Sequence, residues 1–227
     1  MSGFLSRLLF PAACPLCGTL ASPELVEVQG CCQRCWEDCV YPPEQALLFS
    51  PAFAPFCSEI LCGCYYDGPV KEAVTKYKFS EATYMGPCFG RLLYTLLSQC
   101  GVLENLDLIV AVPISPQRFR ERGYNQSLLV AQEISKRSGL PVAELLERKQ
   151  QGMPQSSLLA EERRRDIAAK FTIKQATENE AKGKAVLLID DILTTGSTMN
   201  RCAQLLSEAG AKWITGACIA GGRQEFM

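Results

Sequence analysis

The chain has 227 residues, enough for one ordinary domain with an appendage or for two small ones. Its 23 Lys+Arg against 24 Asp+Glu give a net charge of -1, which excludes a protein that coats nucleic acid through bulk positive charge. At 48% hydrophobic and 21% charged residues the composition is globular, and the longest apolar runs fall far short of the roughly 20 residues that cross a bilayer.

In chain order, Phe4, Leu5, Leu8 and Leu9 have the spacing of one short amphipathic helix. Residues to about 65 are otherwise rich in Cys, Pro and turns, and we place a boundary there: a Cys-rich module over 1–65 and a second unit over 66–227. From Tyr65 onward helical stretches at Val70–Phe79 and Ala82–Gln99 precede an apolar strand at Leu108–Val112. A helix over Asn125–Arg137 ends at Gly139-Leu-Pro141. Leu145–Arg148 and Phe171–Ile173 read as short strands, Glu161–Ala169 as a charged helix, and Thr177–Gly183 as a polar loop. Ala185–Ile189 is the clearest buried strand, followed by a helix at Thr198–Ala209 and a strand at Trp213–Ile219. Strands alternating with helices indicate an α/β fold with a mainly parallel sheet and flanking helices.

Thirteen cysteines and no histidine constrain the chemistry. Nine cysteines lie in the first 64 residues, and no convincing signal-peptide cleavage context precedes them. Clustered thiols in a reduced, cytoplasmic chain point to metal rather than to disulfides. Cys14-Pro-Leu-Cys17 and Cys32-Gln-Arg-Cys35 form two C-x-x-C knuckles 14 residues apart. Four such thiolates suit a closed structural Zn²⁺ site of zinc-ribbon-like type. Packing as small hydrophobes explains one cysteine well and two spaced pairs badly. Cys31 could replace Cys32 in a slipped register, and Cys39 is equally ambiguous. Cys57, Cys62 and Cys64 look like the remnant of a second ligand set without a fourth member, and the balance is against a second ion. Cys88, Cys100, Cys202 and Cys218 stand in apolar contexts and read as core filler.

The most informative stretch is Val186-Leu-Leu-Ile-Asp-Asp-Ile-Leu-Thr-Thr-Gly-Ser-Thr198. An apolar strand ends in two carboxylates, then a loop of hydroxyl residues and glycine opens a helix. Ligands of open parallel sheets sit beyond the carboxyl ends of strands. Thr194, Thr195, Gly196, Ser197 and Thr198 offer N–H groups, hydroxyls and a helix N-terminus to a phosphate. Asp190 and Asp191, too acidic to hold phosphate, suit the vicinal hydroxyls of a ribose. A helix N-cap needs one such residue, not five.

These thirteen positions resemble the phosphoribosyl pyrophosphate (PRPP) signature of type I phosphoribosyltransferases. The resemblance implies that Asp190 and Asp191 bind the ribose hydroxyls, that Thr194–Thr198 hold the 5′-phosphate, and that Mg²⁺ accompanies PRPP. A Cys-rich zinc segment before such a domain is similar to the ComF family (also called GntX-like) of competence-associated proteins. Phe10-Pro-x-x-Cys-x-x-Cys17, Tyr66-Asp-Gly-Pro69 with Lys78, Val112-Pro113, Arg118-Phe-Arg-Glu-Arg-Gly-Tyr-Asn-Gln126, Gln155 and Arg163–Arg165 through Phe171 carry that likeness over nearly the whole chain.

Arg118, Arg120 and Arg122 follow a strand where a pyrophosphate site needs guanidinium forks, although a solvated basic turn looks the same in sequence. With Asp190 and Asp191, Arg118 and Arg122 form the expected catalytic set. Arg163–Arg165 are offset by Glu161 and Glu162, and the resemblance puts them near the mobile loop that covers the site. Asp166 stands where the family often has Asn and Gly152 where it often has Thr, departures that bear on acceptor choice and turnover.

Two functions follow. The first is a Mg²⁺-dependent transfer of the phosphoribosyl group of PRPP to a nitrogen acceptor that the sequence does not name, without imidazole, so that electrostatic positioning carries the chemistry. The second is a PRPP- or nucleotide-sensing protein whose zinc module and arginines contact single-stranded DNA or a DNA-uptake helicase. That role needs a local basic groove, and no aromatic stacking platform is evident in the sequence. A redox-responsive thiol protein is a third reading. Only the first releases pyrophosphate.

Overall fold

The structure is a computed structural model that describes residues 13–48, 54–79, 82–149 and 170–222. The Phe4–Leu9 helix, the Glu161–Ala169 helix, Gly152, Gln155, Arg163–Arg165 and Asp166 lie outside the described residues.

Among the described residues three short helices come first: α1 (Pro23–Gln29), α2 (Gln33–Cys39) and α3 (Pro43–Ala46). They are followed by β1 (Leu47–Leu48), β2 (Glu59–Tyr65), α4 (Gly68–Phe79), α5 (Met85–Gln99), β3 (Leu108–Ala111) and α6 (Pro116–Arg122). The chain continues through α7 (Gln126–Ser138), β4 (Val142–Ala143), β5 (Leu146–Arg148), β6 (Phe171–Ile173), β7 (Ala185–Leu193), α8 (Ser197–Glu208) and β8 (Trp213–Gly221). The expected polar loop at Thr177–Gly183 contains most of a 3₁₀ segment, Gln175–Ala181.

Six strands form one sheet in the order β1-β2-β8-β7-β3-β4, parallel throughout except for β1 at the edge. β7 is central, and Ala185–Ile189 are buried because helices cover the sheet on both sides, as a continuous apolar run requires. Gly63 of β2 faces Leu92 and Leu93 of α5, whereas Gly216 of β8 lies against Ile60 and Met199 of α8. Since Ile60 and Gly63 point to opposite faces of one strand, α5 and α8 stand on opposite sides. β5 and β6 form a separate antiparallel pair. This is the mainly parallel α/β architecture expected from the sequence, preceded by a Cys-rich cluster.

β2, which contains Cys62 and Cys64, joins this sheet beside β8. Cys62 and Cys218 are register partners with sulfurs 3.1 Å apart, and Cys62, Cys64 and Cys218 are fully buried. These cysteines pack within the sheet, and burial pushes the Cys57 thiol up to about 12.

α1 docks on the sheet-covering helices at one tight point. Gly30 ends α1 with φ +86°, and a Cβ there would stand 2.1 Å from the Cys88 carbonyl of α5. Arg91 and Arg137 donate to the Val26 and Glu27 carbonyls at 3.3 and 2.9 Å, satisfying the end of α1. Both guanidiniums pair with the buried carboxylate of Glu133, at 3.3 and 2.8 Å.

Candidate functional site: an acidic pair in a cationic cleft

Among the described residues, two places gather chemistry-bearing side chains. The first is the thiol cluster. Cys14 N–H donates to the Thr19 carbonyl and Gly18 N–H to the Cys14 carbonyl, both at 2.8 Å, closing the first knuckle. In the second, Cys32 is the N-cap of α2 and its sulfur accepts from Cys35 N–H. The sulfurs of Cys14, Cys17, Cys32 and Cys35 all lie within 4.8 Å of one another. Those of Cys17 and Cys32 are 3.8 Å apart. Four sulfurs at ~2.3 Å from a common ion in tetrahedral array stand about 3.8 Å apart, so these side chains fit a structural metal. Burial opposes ionisation of Cys17, but hydrogen bonds from Thr19, Cys35 and Cys14 bring its thiol down to about 6. Cys31, Cys39, Cys57, Cys62 and Cys64 form no such set among the described residues.

The second place is a cleft of about 220 Å³ beyond the carboxyl ends of β2, β3 and β7. Asp190 and Asp191 project into it from the end of β7, with Thr194 and Thr198 beside them. Gly196 adopts φ +70° as the residue before α8, a turn that favours glycine. Thr195 and Ser197 line no part of the cleft and hydrogen-bond each other through their hydroxyls at 2.9 Å. Asp190 Oδ1 accepts the Asp191 N–H at 2.8 Å. Burial first, then the neighbouring charge of Asp191, push the Asp190 carboxyl up to about 7, while Lys78 and Arg148 pull it down.

Facing the acids are four cations. Lys78, near the end of α4, puts its ammonium 3.0 Å from Asp191 Oδ2, with both side chains largely buried. Arg118 and Arg122 come from α6. This helix was not anticipated, because its one large apolar residue, Phe119, is exposed and leaves no periodicity. Its punctuation is nonetheless legible: Ser115 caps it through a hydroxyl that accepts from Arg118 N–H, Pro116 opens it, and Gly123 closes it with φ +79°. Arg122 donates to Gln126 Oε1 at 3.1 Å and stacks 5.1 Å from the Phe79 ring centre. Its Nε is buried with no hydrogen-bond partner among the described residues. Arg120 is exposed and does not line the cleft.

The fourth cation, Arg148, carries no motif that marks it in the sequence. It sits on β5 with its guanidinium 5.1 Å from the Phe171 ring centre of β6. Burial, then the charge of Arg118, disfavour the cationic forms of both Arg122 and Arg148. The cleft therefore holds more positive charge than its two carboxylates balance, an electrostatic state that an anionic ligand relieves.

Comparison with known proteins identifies relatives of this chain. Residues 125–226 match the phosphoribosyl transferase domain family. Competence protein F of Haemophilus influenzae is 30% identical over 154 residues, covering 66% of this chain and 67% of the relative. The DNA utilization protein YhgH of Escherichia coli O157:H7 is 28% identical over 210 residues, 91% of this chain and 82% of the relative. Competence protein ComFC of Streptococcus pneumoniae is 32% identical over 147 residues, 65% and 61% of the two chains. Among solved structures, a glutamine phosphoribosylpyrophosphate amidotransferase from B. subtilis aligns at 18% identity with a TM-score of 0.45, over 64% of this chain and 30% of that chain. No described helix is long and apolar enough to cross a membrane. With the thiol cluster ahead of the phosphoribosyl transferase domain, and with competence protein F matched over two thirds of its length, the chain belongs to the ComF family.

Proposed function

We propose that the cleft binds PRPP together with Mg²⁺ and that the chain transfers the phosphoribosyl group to a nitrogen acceptor in the context of DNA uptake. The observation that carries this reading is the convergence of Asp190 and Asp191 with Lys78, Arg118, Arg122 and Arg148 at one helix N-terminus. Carboxylates accept hydrogen bonds from a diol, and guanidiniums donate in pairs to phosphate oxygens. In this arrangement the Thr194–Thr198 turn receives the 5′-phosphate, Asp190 and Asp191 hold the ribose hydroxyls, and Arg118 and Arg122 face the pyrophosphate. Their positive charge is worth most as pyrophosphate leaves and negative charge builds on it. Mg²⁺, a hard cation that prefers oxygen ligands, would neutralise further charge on the pyrophosphate.

In the same reading the four thiols hold a structural Zn²⁺ and the chain works in the cytoplasm. Pyrophosphate release on incubation with PRPP and candidate nitrogen bases tests the transfer. Release that disappears in Asp190→Asn supports it; tight binding without release leaves a sensor.

A second reading has one observation in its favour. Phe79 and Phe119 are 73% and 52% exposed, and Arg122 of the cleft stacks on Phe79. Exposed rings beside Arg118 and Arg120 suit stacked bases and a phosphate backbone, so single-stranded DNA, alone or with a helicase, is a candidate partner at the cleft mouth. The names of the relatives, competence and DNA utilization proteins, agree with such a role.

A further inference from the structure

The least expected contact in the cleft is the ion pair between Lys78 and Asp191. Asp191 is one of two carboxylates available for a diol or a hydrated cation, yet its Oδ2 already faces an ammonium at 3.0 Å. The position of Lys78 is fixed by its neighbour. Tyr77 is buried against Phe89 and Tyr124, its hydroxyl donates to the Gln126 carbonyl at 2.9 Å, and its own carbonyl accepts the Tyr124 hydroxyl. With Tyr77 held at both ends, α4 presents the next residue to the cleft, and Val70 and Val74 anchor the rest of the helix in the core. The Lys78 and Asp191 side chains retain only 19% and 18% of their exposure, so water screens the pair weakly.

A divalent cation approaching the empty cleft meets the acids already paired, with Arg118, Arg122 and Arg148 around them. The surrounding positive charges oppose the cation, and two partly neutralised carboxylates attract it less than two free ones would. A polyphosphate ligand changes the balance: its oxygens attract the ammonium and guanidiniums, and Asp191 is released toward the hydroxyls and the cation.

We propose that Lys78 is a resident counter-ion of Asp191 that keeps divalent cations out of the empty cleft, so that the metal enters only with its phosphoribosyl polyphosphate. The proposal rests on the PRPP reading for the identity of that ligand. Lys78 thereby acts as a positioning residue that sets the order of binding, and free Mg²⁺ does not occupy the site in advance.

The test uses the full chain with its thiol site loaded and Mn²⁺ as the probe, followed by electron paramagnetic resonance. Without PRPP, wild type and Lys78→Arg should leave Mn²⁺ free, whereas Lys78→Gln and Lys78→Met should bind it at least about tenfold more tightly, the scale of one charge–charge contact in such a site. Asp191→Asn added to Lys78→Gln should abolish the gain. Adding PRPP should bring Mn²⁺ onto the wild type. Equal Mn²⁺ affinity in wild type and Lys78→Gln without ligand overturns the proposal, and so does wild-type binding of Mn²⁺ that PRPP does not strengthen. If PRPP itself does not bind the wild type, the functional reading falls, and the ligand-free comparison still decides the role of Lys78.

Discussion

Asp190 accepts the backbone N–H of Asp191 at 2.8 Å, so the two carboxylates at the end of β7 are tied into one unit with different environments. Asp191 is neutralised by Lys78, while desolvation raises the Asp190 carboxyl to about 7. In an unfolded chain Asp190 would titrate near 3.8. Between these values the folded state holds a proton that the unfolded state has lost. This contribution to stability is therefore complete below about pH 4 and is lost as pH climbs to about 7. Melting temperature of the ligand-free protein should fall over that interval, and Asp190→Asn should flatten that part of the curve. A wild-type curve without this decline would show that Asp190 is ionised at low pH.

Diol binding has the opposite dependence, because hydroxyl donors need ionised acceptors. Affinity for PRPP should rise as pH passes through about 7, provided the phosphate charges are held constant by comparison with pyrophosphate. Asp190→Asn should weaken PRPP binding by at least about tenfold, the loss of one charged hydrogen bond of ~1.5–3 kcal/mol, and leave pyrophosphate binding almost unchanged. Equal losses for both ligands would place Asp190 away from the ribose.

Cys14→Ser should remove the metal from the amino-terminal cluster, read as zinc per chain by elemental analysis, and destabilise α1 and α2 while the cleft residues keep their fold. Cys31→Ser should retain the metal, since Cys31 lies outside the four-sulfur set. Loss of metal from Cys31→Ser and not from Cys32→Ser would mean that the register of the second knuckle is shifted.

The junction between the thiol cluster and the sheet depends on Glu133. Removing its carboxylate in Glu133→Ala leaves Arg91 and Arg137 facing each other across the end of α1. Because both guanidiniums keep some solvent contact, the expected cost is about 1–3 kcal/mol, below the ~3–5 of a fully buried pair. Gly30→Ala, which places a Cβ against the Cys88 carbonyl in left-handed backbone, should cost about 2–5 kcal/mol. Chemical denaturation measures both, and a neutral Gly30→Ala would mean that α1 is not held against α5.

The central strands and helices were legible because burial writes itself as pattern: Ala185–Ile189 is an apolar run, and the helix beginning near Thr198 follows a glycine turn. The acidic pair and phosphate loop were legible for a related reason, since four small hydroxyl residues and a glycine after a buried strand are more than a cap requires. β2 was hidden because its cysteines, at Cys62 and Cys64, read as ligands when the sheet uses them as small apolar fillers. α6 was hidden by lack of an apolar face. Arg148 was beyond reach of local pattern: it enters the cleft from a two-stranded pair whose position no sequence period records. Lys78 stood in the sequence as a family marker, but its partner, 113 positions away, is fixed only by the packing of Tyr77.

The most direct test of the account is a calorimetric titration of the wild-type protein with PRPP, with and without Mg²⁺, repeated on Arg122→Ala. The account expects saturable binding that Mg²⁺ strengthens and that Arg122→Ala weakens by at least about tenfold, one charge-assisted contact to phosphate. No heat at millimolar PRPP under any of these conditions would contradict it, and would leave the cleft as an inherited scaffold beside the exposed rings of Phe79 and Phe119.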